Sequence, residues 1–390
     1  VTRFAADIDQ IALWGEKVEQ EIEETQALAA LPEDTRVFPT MRAHEVIELV
    51  GCSEWQWKTY LKSLAGEDKP TATAGGQYRV SLDHAHAFMD FLGTRPSRPA
   101  GITRAMRVAV ENFKGGAGKS ATTLHLAVSL ARKGYRVLLV DTDPQATLSR
   151  LLGIQPAKLD AHETIAAAVG VGFDDRVPRR LTPRTTYISG LSIIPASMEL
   201  SEVEIEVIRR FRDNEVHGIE RVFDKAFAEI DGDYDLMFMD FQPSFSMTQL
   251  LLLWAMDALV IPLPTETADF AGTGDFLHQI AAFMRPLVNV TGVHKVWDPA
   301  LVVHTKRRKG SDLVYNMAGA TFGIHRPGEF VEDQGAISSS LAVLRSVYEA
   351  GSDQYDRRAI KRAREQYDVI AERVIEAIKE RWDEQLKGMS

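Results

Sequence analysis

The chain has 390 residues, room for two or three domains, and its 45% hydrophobic and 26% charged content is that of an ordinary globular protein. A net charge of −10 argues against wholesale adhesion to nucleic acid but leaves a local basic face open. The single cysteine, Cys52, excludes an internal disulfide framework and a cysteine-built metal site, and no apolar run approaches the ~20 residues that span a bilayer. No signal-peptide layout opens the sequence, so the expected location is the cytoplasm.

Residues 2–30 predict one helix whose apolar positions Ile8, Ile11, Leu13, Val18 and Ile22 form a narrow face among many Glu and Gln, closed by Pro32. Such an arm is either solvated or dimerising; residues 1–35 are assigned here to a dimerisation arm. Residues 36–100 predict a compact unit. A helix over Met41–Leu49 is followed by the turn Gly51-Cys52-Ser53, with Ser53 as N-cap, and a helix over Glu54–Leu64. Gly75-Gly76 then tips a hairpin between Pro70 and Val80, and Ser81 with Asp83 opens a third helix ending near Gly93. This order predicts a winged helix-turn-helix. Residues 94–101, with two prolines, read as a stiff linker.

From residue 101 to 390 strands alternate with helices. Strands are expected at Arg107–Asn112, Val137–Asp141, Leu191–Pro195, Leu236–Asp240, Ala258–Pro262 and Leu301–His304, with helices at Ser120–Lys133 and Arg221–Ile230. The fold class is therefore α/β, a doubly wound and mostly parallel sheet covered on both faces. A long helix over Asp353–Lys387 is charged with both signs and reads as a mostly solvated face, unsuited to membrane binding.

Between the first strand and helix of this region lies Asn112-Phe113-Lys114-Gly115-Gly116-Ala117-Gly118-Lys119-Ser120-Ala121. Glycines at a helix N-terminus let the backbone wrap an anion; Lys119 would reach terminal phosphates and the Ser120 hydroxyl would take Mg2+. The general P-loop pattern asks for glycine where Phe113 stands, so the match is to Lys-Gly-Gly-x-Gly-Lys-Ser. That motif resembles the deviant Walker A of the ParA/MinD family. Val137-Leu138-Leu139-Val140-Asp141-Thr142-Asp143-Pro144-Gln145 and Tyr234–Asp240 are similar to its two further signatures, each ending a strand.

The resemblance implies a P-loop ATPase with ATP/ADP and Mg2+ as cofactors, working as a nucleotide-sandwich homodimer. Asp240 would hold Mg2+ through a water, Asp141 would support the metal side, and Asp143 would orient the attacking water. Lys114 would reach across the dimer to the partner's ATP. Gln242-Pro243 stands where the family usually has two prolines, and Phe113 and Ala117 replace the usual Gln and Val.

The arm and the winged unit resemble those of long plasmid-partition ParA proteins and the RepA proteins of repABC replicons, as do Asp269-Phe270, Thr273-Gly274-Asp275-Phe276, Ala336-Ile337-Ser338 and Val347-Tyr348-Glu349. That group implies a nucleoid-associated DNA-partition ATPase with a ParB-like partner that stimulates weak hydrolysis, and an operator bound to repress its own gene. Gln56, Lys58, Thr59 and Lys62 would enter the major groove and Arg79 on the wing would touch phosphate, with Trp55 and Tyr60 taken as core. Lys306, Arg307, Arg308, Lys309, Arg326 and Arg345 are candidates for sequence-independent DNA contact. A nucleotide-sensing repressor with little hydrolysis is the alternative, motivated by Gln242.

Overall fold

The computed structural model describes residues 17, 36–212, 218–350 and 356–389. The arm expected over residues 1–35 lies, Lys17 apart, outside the described residues. The N-terminal unit runs β1 (Met41–Arg42), α1 (Ala43–Val50), α2 (Glu54–Ser63), β2 (Thr71–Ala72), β3 (Tyr78–Val80) and α3 (Leu82–Leu92). Ser53 and Ser81 accept hydrogen bonds from Gln56 N–H and His84 N–H as N-caps. Gly51 and Gly93 end α1 and α3 in the left-handed conformation, as an L side chain rarely does. The first helix starts two residues later than expected because Met41 and Arg42 pair with Val80 and Arg79 in a three-stranded antiparallel sheet ordered β1-β3-β2. Trp57, Tyr60 and Phe88 pack tilted and edge-on, with ring centroids 4.9–5.8 Å apart, in the centre of the unit.

The second region runs β4 (Met106–Val110), α4 (Lys119–Arg132), β5 (Val137–Asp141), α5 (Thr147–Leu151), β6 (Arg184–Thr185), β7 (Leu191–Ile194), α6 (Leu200–Arg212) and α7 (Val222–Ala228). It continues through β8 (Leu236–Asp240), α8 (Met247–Trp254), β9 (Ala258–Pro264), α9 (Thr267–Thr291), β10 (Ala300–Arg307), α10 (Asp312–Phe322), β11 (Phe330–Glu332), α11 (Gly335–Ala342) and α12 (Arg357–Met389). The eight strands order as β11-β10-β9-β4-β8-β5-β7-β6, parallel except for β6 against β7. Even-numbered residues of β4 (Met106, Val108, Val110) face one core and Ala109 the other, so helices cover both faces.

Two readings change. The linker does not stand free: Arg95 donates to Gly134 O at 3.0 Å and Arg98 to Asp231 O and Gly232 O, while His86 donates to Ala131 O at 2.8 Å. The two regions consequently share one continuous apolar core. The C-terminal helix is not solvated all round. Ile360, Ala363, Tyr367, Ile370, Val374, Ile378 and Trp382 recur every three or four residues as a buried stripe against α4 and its neighbours. Its many charges flank that stripe and obscured it in the composition.

His125, halfway along α4, ties this packing together. It stacks on Tyr367 at 4.2 Å, donates from Nδ1 to Ala121 O at 2.6 Å and accepts Val347 N–H at Nε2 at 3.1 Å. Burial pulls its pKa down to about 4. As pH falls from 6.5 the unfolded chain takes up a proton that the folded chain refuses until about 4, so stability falls across that window. Urea denaturation between pH 7 and pH 4 is expected to show this loss, and His125→Gln is expected to make the pH dependence shallower.

Candidate functional site

Strand β4 is buried on both faces and delivers the chain to residues 111–118, at the C-terminal edge of the sheet, before α4 begins. Gly116 and Gly118 adopt φ of 77° and 87°, a region that costs an L side chain strain, whereas Gly115 has no positive φ. The loop's carbonyls point to donors outside it. Lys119 Nζ donates to Asn112 O at 2.8 Å, Thr305 Oγ to Ala117 O at 2.9 Å and Lys306 Nζ to Gly116 O at 2.6 Å. A cavity of about 320 Å3 opens beside it, lined among others by Gly116, Gly118, Lys119, Ser120, Ala121 and Asp143.

Three carboxylates sit behind this cavity on adjacent strand ends. Asp141 and Asp240 are paired in register on β5 and β8, and Glu111 follows β4. Asp141 is engaged by the protein itself: its oxygens accept Asp143 N–H at 3.1 Å, Ser149 N–H at 2.9 Å and Ser149 Oγ–H at 2.7 Å. Burial raises its pKa to about 6 against those bonds. Both of its oxygens are thus occupied, and they hold the loop that carries Asp143. Asp240 differs, since both of its oxygens are buried without a hydrogen-bond partner. Burial first, then the charge of Asp141, pushes its carboxyl well above the usual range. A buried carboxylate left open beside the P-loop serine is the donor set of a hard divalent cation, so Ser120 and Asp240 fit Mg2+.

Lys114 does not project from the lip of the loop. Its amine pairs with Asp269 in the first turn of α9, with 36% of the lysine side chain exposed against 7% of the aspartate. Asn112 is held by the same helix, donating to Thr273 Oγ at 2.9 Å, and Phe113 packs edge-on to Phe276 at 4.6 Å. The stretch Asp269–Phe276 is thus a dock for residues 112–114. Sequence reasoning noticed its residues but not this role, because the contacts bridge roughly 150 positions with no local pattern. Glu111, Thr305 and the Lys306 strap were missed for the same reason.

The DNA candidates scatter. Lys306 is a strap of the loop, as above. Arg307 pairs with Asp312 at 3.0 Å and lies over Tyr315 and Phe330; Arg308 pairs with Asp333 at 2.7 Å and Glu266 at 3.0 Å. Lys309 is exposed, Arg326 stacks on Tyr315 at 4.2 Å, and Arg345 is half-buried, its backbone N–H bonded to Ser340 O. Within the basic run Arg307 and Arg308 are therefore paired with carboxylates, whereas Lys306 meets only a carbonyl and Lys309 is exposed. On α2, Gln56 is occupied as the capping partner of Ser53, and Thr59 Oγ donates to Trp55 O. Lys58 makes only a solvent-screened, exposed pair with Glu54, while Lys62 and Arg79 are exposed. Trp55, taken as core from the sequence, is 73% exposed, because it lies on the face of α2 opposite Trp57 and Leu61.

This fold and loop define a P-loop ATPase, a class whose ligands are ATP or ADP with Mg2+. A family model described as an AAA domain matches residues 105–290. A Rhizobium rhizogenes protein carrying the name replication protein A is 27% identical over 368 residues, covering 90% of this chain and 89% of that one. Protein SopA of Escherichia coli (strain K12) is 28% identical over 65% of this chain and 66% of its own length. Sporulation initiation inhibitor protein Soj of Bacillus subtilis is 31% identical over 46% of this chain and 66% of its own length. A solved structure titled partition protein shares the fold at a TM-score of 0.66, with 17% identity over 96% of this chain and 98% of that one. The chain belongs to the ParA-type P-loop ATPases.

Glu111 supplies a test of this electrostatic picture. Both of its oxygens are buried without a partner, and burial pushes its carboxyl well above the usual range, against the pull of Lys119. Glu111→Met removes an unsatisfied buried group and is expected to raise the unfolding free energy by about 1–3 kcal/mol at neutral pH. The gain should grow as pH rises above the ordinary value of 4.5, because folding then retains a proton that the unfolded chain releases. Urea denaturation of the nucleotide-free protein checks both.

Proposed function

We propose that this ATPase partitions DNA. It works as a homodimer closed over two ATP molecules, holds DNA without sequence preference in the ATP state, and binds an operator through residues 36–100 to repress its own gene. The observation that carries the reading is the union, in one chain and around one core, of the lysine-led deviant P-loop with an N-terminal helical unit and wing. A ParB-like centromere-binding partner would stimulate an inherently weak hydrolysis, on the nucleoid.

In this reading the loop amides and Lys119 hold the phosphates, and Asp143, on the cavity wall, orients the attacking water. Mg2+, when bound by Ser120 and through a water by Asp240, supplies charge neutralisation at the phosphates, with Asp141 supporting the Asp143 loop. Lys114 leaves Asp269 to serve the partner subunit's nucleotide as the dimer closes. On α2 the exposed cations Lys58, leaving its pair with Glu54, and Lys62, with Arg79 on the wing, approach DNA, and Gln56 and Thr59 stay on the same exposed helix. A second reading, a nucleotide-sensing repressor, is motivated by Gln242, which stands where the family usually has proline in the segment following Asp240.

Multiple-turnover ATPase assays with and without DNA and a centromere-binding partner separate the two: stimulated turnover supports partition, and none supports the sensor. Lys119→Ala is expected to abolish ATP binding. Lys114→Ala is expected to keep ATP affinity and lose hydrolysis, measured by equilibrium binding and phosphate release; hydrolysis at the normal rate in that variant refutes the role in trans.

A further inference from the structure

A second concentration of arginine lies away from both the nucleotide cavity and the Lys306–Lys309 run. The loop after residue 175 carries Arg176, Arg179, Arg180 and Arg184, and the last turn of α6 brings Arg209, Arg210 and Arg212 against it. Between them Glu206, whose side chain is 1% exposed, accepts Arg176 at 3.1 Å, Arg209 at 2.8 Å and Arg210 at 2.8 Å. Its carboxyl is held down to about 2, chiefly by the Arg209 hydrogen bond and against the opposing effect of burial. One carboxylate shared by three guanidinium groups cannot neutralise them. It acts as a buried template that fixes an arginine cluster with charge to spare.

The cluster faces a cavity of about 440 Å3 whose wall holds Arg179, Arg180, Arg210 and Lys225 with one carboxylate, Glu229; Arg179 is neutralised by Asp175 at 2.6 Å, which leaves Arg180, Arg210 and Lys225 as its cations. Backbone carbonyls, which do not cancel charge, position two of these groups. Arg180 Nη2 donates to Glu229 O at 3.2 Å and Arg210 Nη2 to Val169 O at 2.9 Å. Lys225 on α7 is exposed and makes no hydrogen bond or ion pair among the described residues. Pre-oriented guanidinium forks with open edges match phosphate geometry. Arg176, 62% exposed, and Arg209 share Glu206 beside the cavity and widen the positive surface beyond what one phosphate group needs, which suits a repeating polyanion.

We propose that this Glu206-centred arginine basin, with Arg180 and Lys225 as its open contacts, binds the phosphodiester backbone of duplex DNA. The proposal rests on the DNA-partition reading above and gives the sequence-independent binding a place that the ion-paired Arg307 and Arg308 do not offer.

Fluorescence anisotropy of the full chain on a random-sequence duplex, with ATP and Mg2+ across a salt series, tests it. Arg180→Ala combined with Lys225→Ala is expected to weaken binding and make log K against log salt shallower by roughly 1.8, about 0.9 per lost phosphate contact. ATP affinity should be unchanged, which also shows that the variant is folded. Arg307→Ala combined with Arg308→Ala should change the slope less. A wild-type slope in the Arg180/Lys225 variant overturns the basin while leaving the partition reading intact. Absence of random-duplex binding by the wild type in every nucleotide state overturns both. Phosphatidylglycerol vesicles form the other arm: binding to them lost in the variant, with the DNA slope unmoved, overturns DNA as the partner.

Discussion

An anion cradle built from main chain carries an obligation: peptide groups whose N–H sides serve the ligand turn their carbonyls the other way, and those carbonyls need donors. Here the donors come from distant chain. Thr305 and Lys306 reach from the end of β10 to Ala117 O and Gly116 O, and Lys119 folds back on Asn112 O. Lys306 meets this demand with a φ of 50°, a conformation uncommon outside glycine. The sheet order puts β9 between β10 and β4, and Thr305 reaches the loop from the level of Pro264, the last residue of β9.

The same edge of the sheet gathers Glu111, Asp141 and Asp240 with Lys119 as the nearest buried cation. Burying several carboxylates around one ammonium is unfavourable unless protons, hydrogen bonds or a metal relieve them. Asp141 is relieved by Ser149 and the Asp143 amide. Asp240 has no hydrogen bond of ordinary geometry and is relieved only by the neighbouring Ser120 side chain and the Lys119 charge, which leaves its oxygens the more open of the two to a cation. The two aspartates look alike in sequence, each closing an apolar strand, and only their neighbours separate their tasks.

The legible parts of the sequence were those with short-range grammar. Apolar runs ending in aspartate located β5 and β8 to the residue, and Gly-Gly-x-Gly-Lys-Ser located the cradle. Ser53 and Ser81 announced their helices. Trp55 and Trp57 were indistinguishable by residue type, and only the direction of α2 sends the first outward and the second inward. The C-terminal helix was misread because Arg and Glu on its flanks outnumber the buried stripe. Likewise the basic run at 306–309 lies at the surface, yet its first two residues end β10, where Lys306 is tied to the loop carbonyl Gly116 O and Arg307 to Asp312. A charge count cannot foresee acidic partners supplied by Asp312, Asp333 and Glu266 from other elements.

Helix α4 joins these separate facts. Its N-terminus is the P-loop, its middle is clasped by α12 through His125 and Tyr367, and its C-terminal carbonyl Ala131 O receives His86 from α3 of the N-terminal unit. Fourteen helical residues make a rod of roughly 21 Å. Such a rod bends little, so a shift of the loop must be taken up along the whole helix. At its far end there is no slack: a methyl at Gly134 would meet Met89 Sδ at 2.9 Å and Pro96 Cδ at 3.0 Å. The closeness of that joint makes the N-terminal unit mechanically continuous with the phosphate cradle, whereas a free linker would have insulated the two.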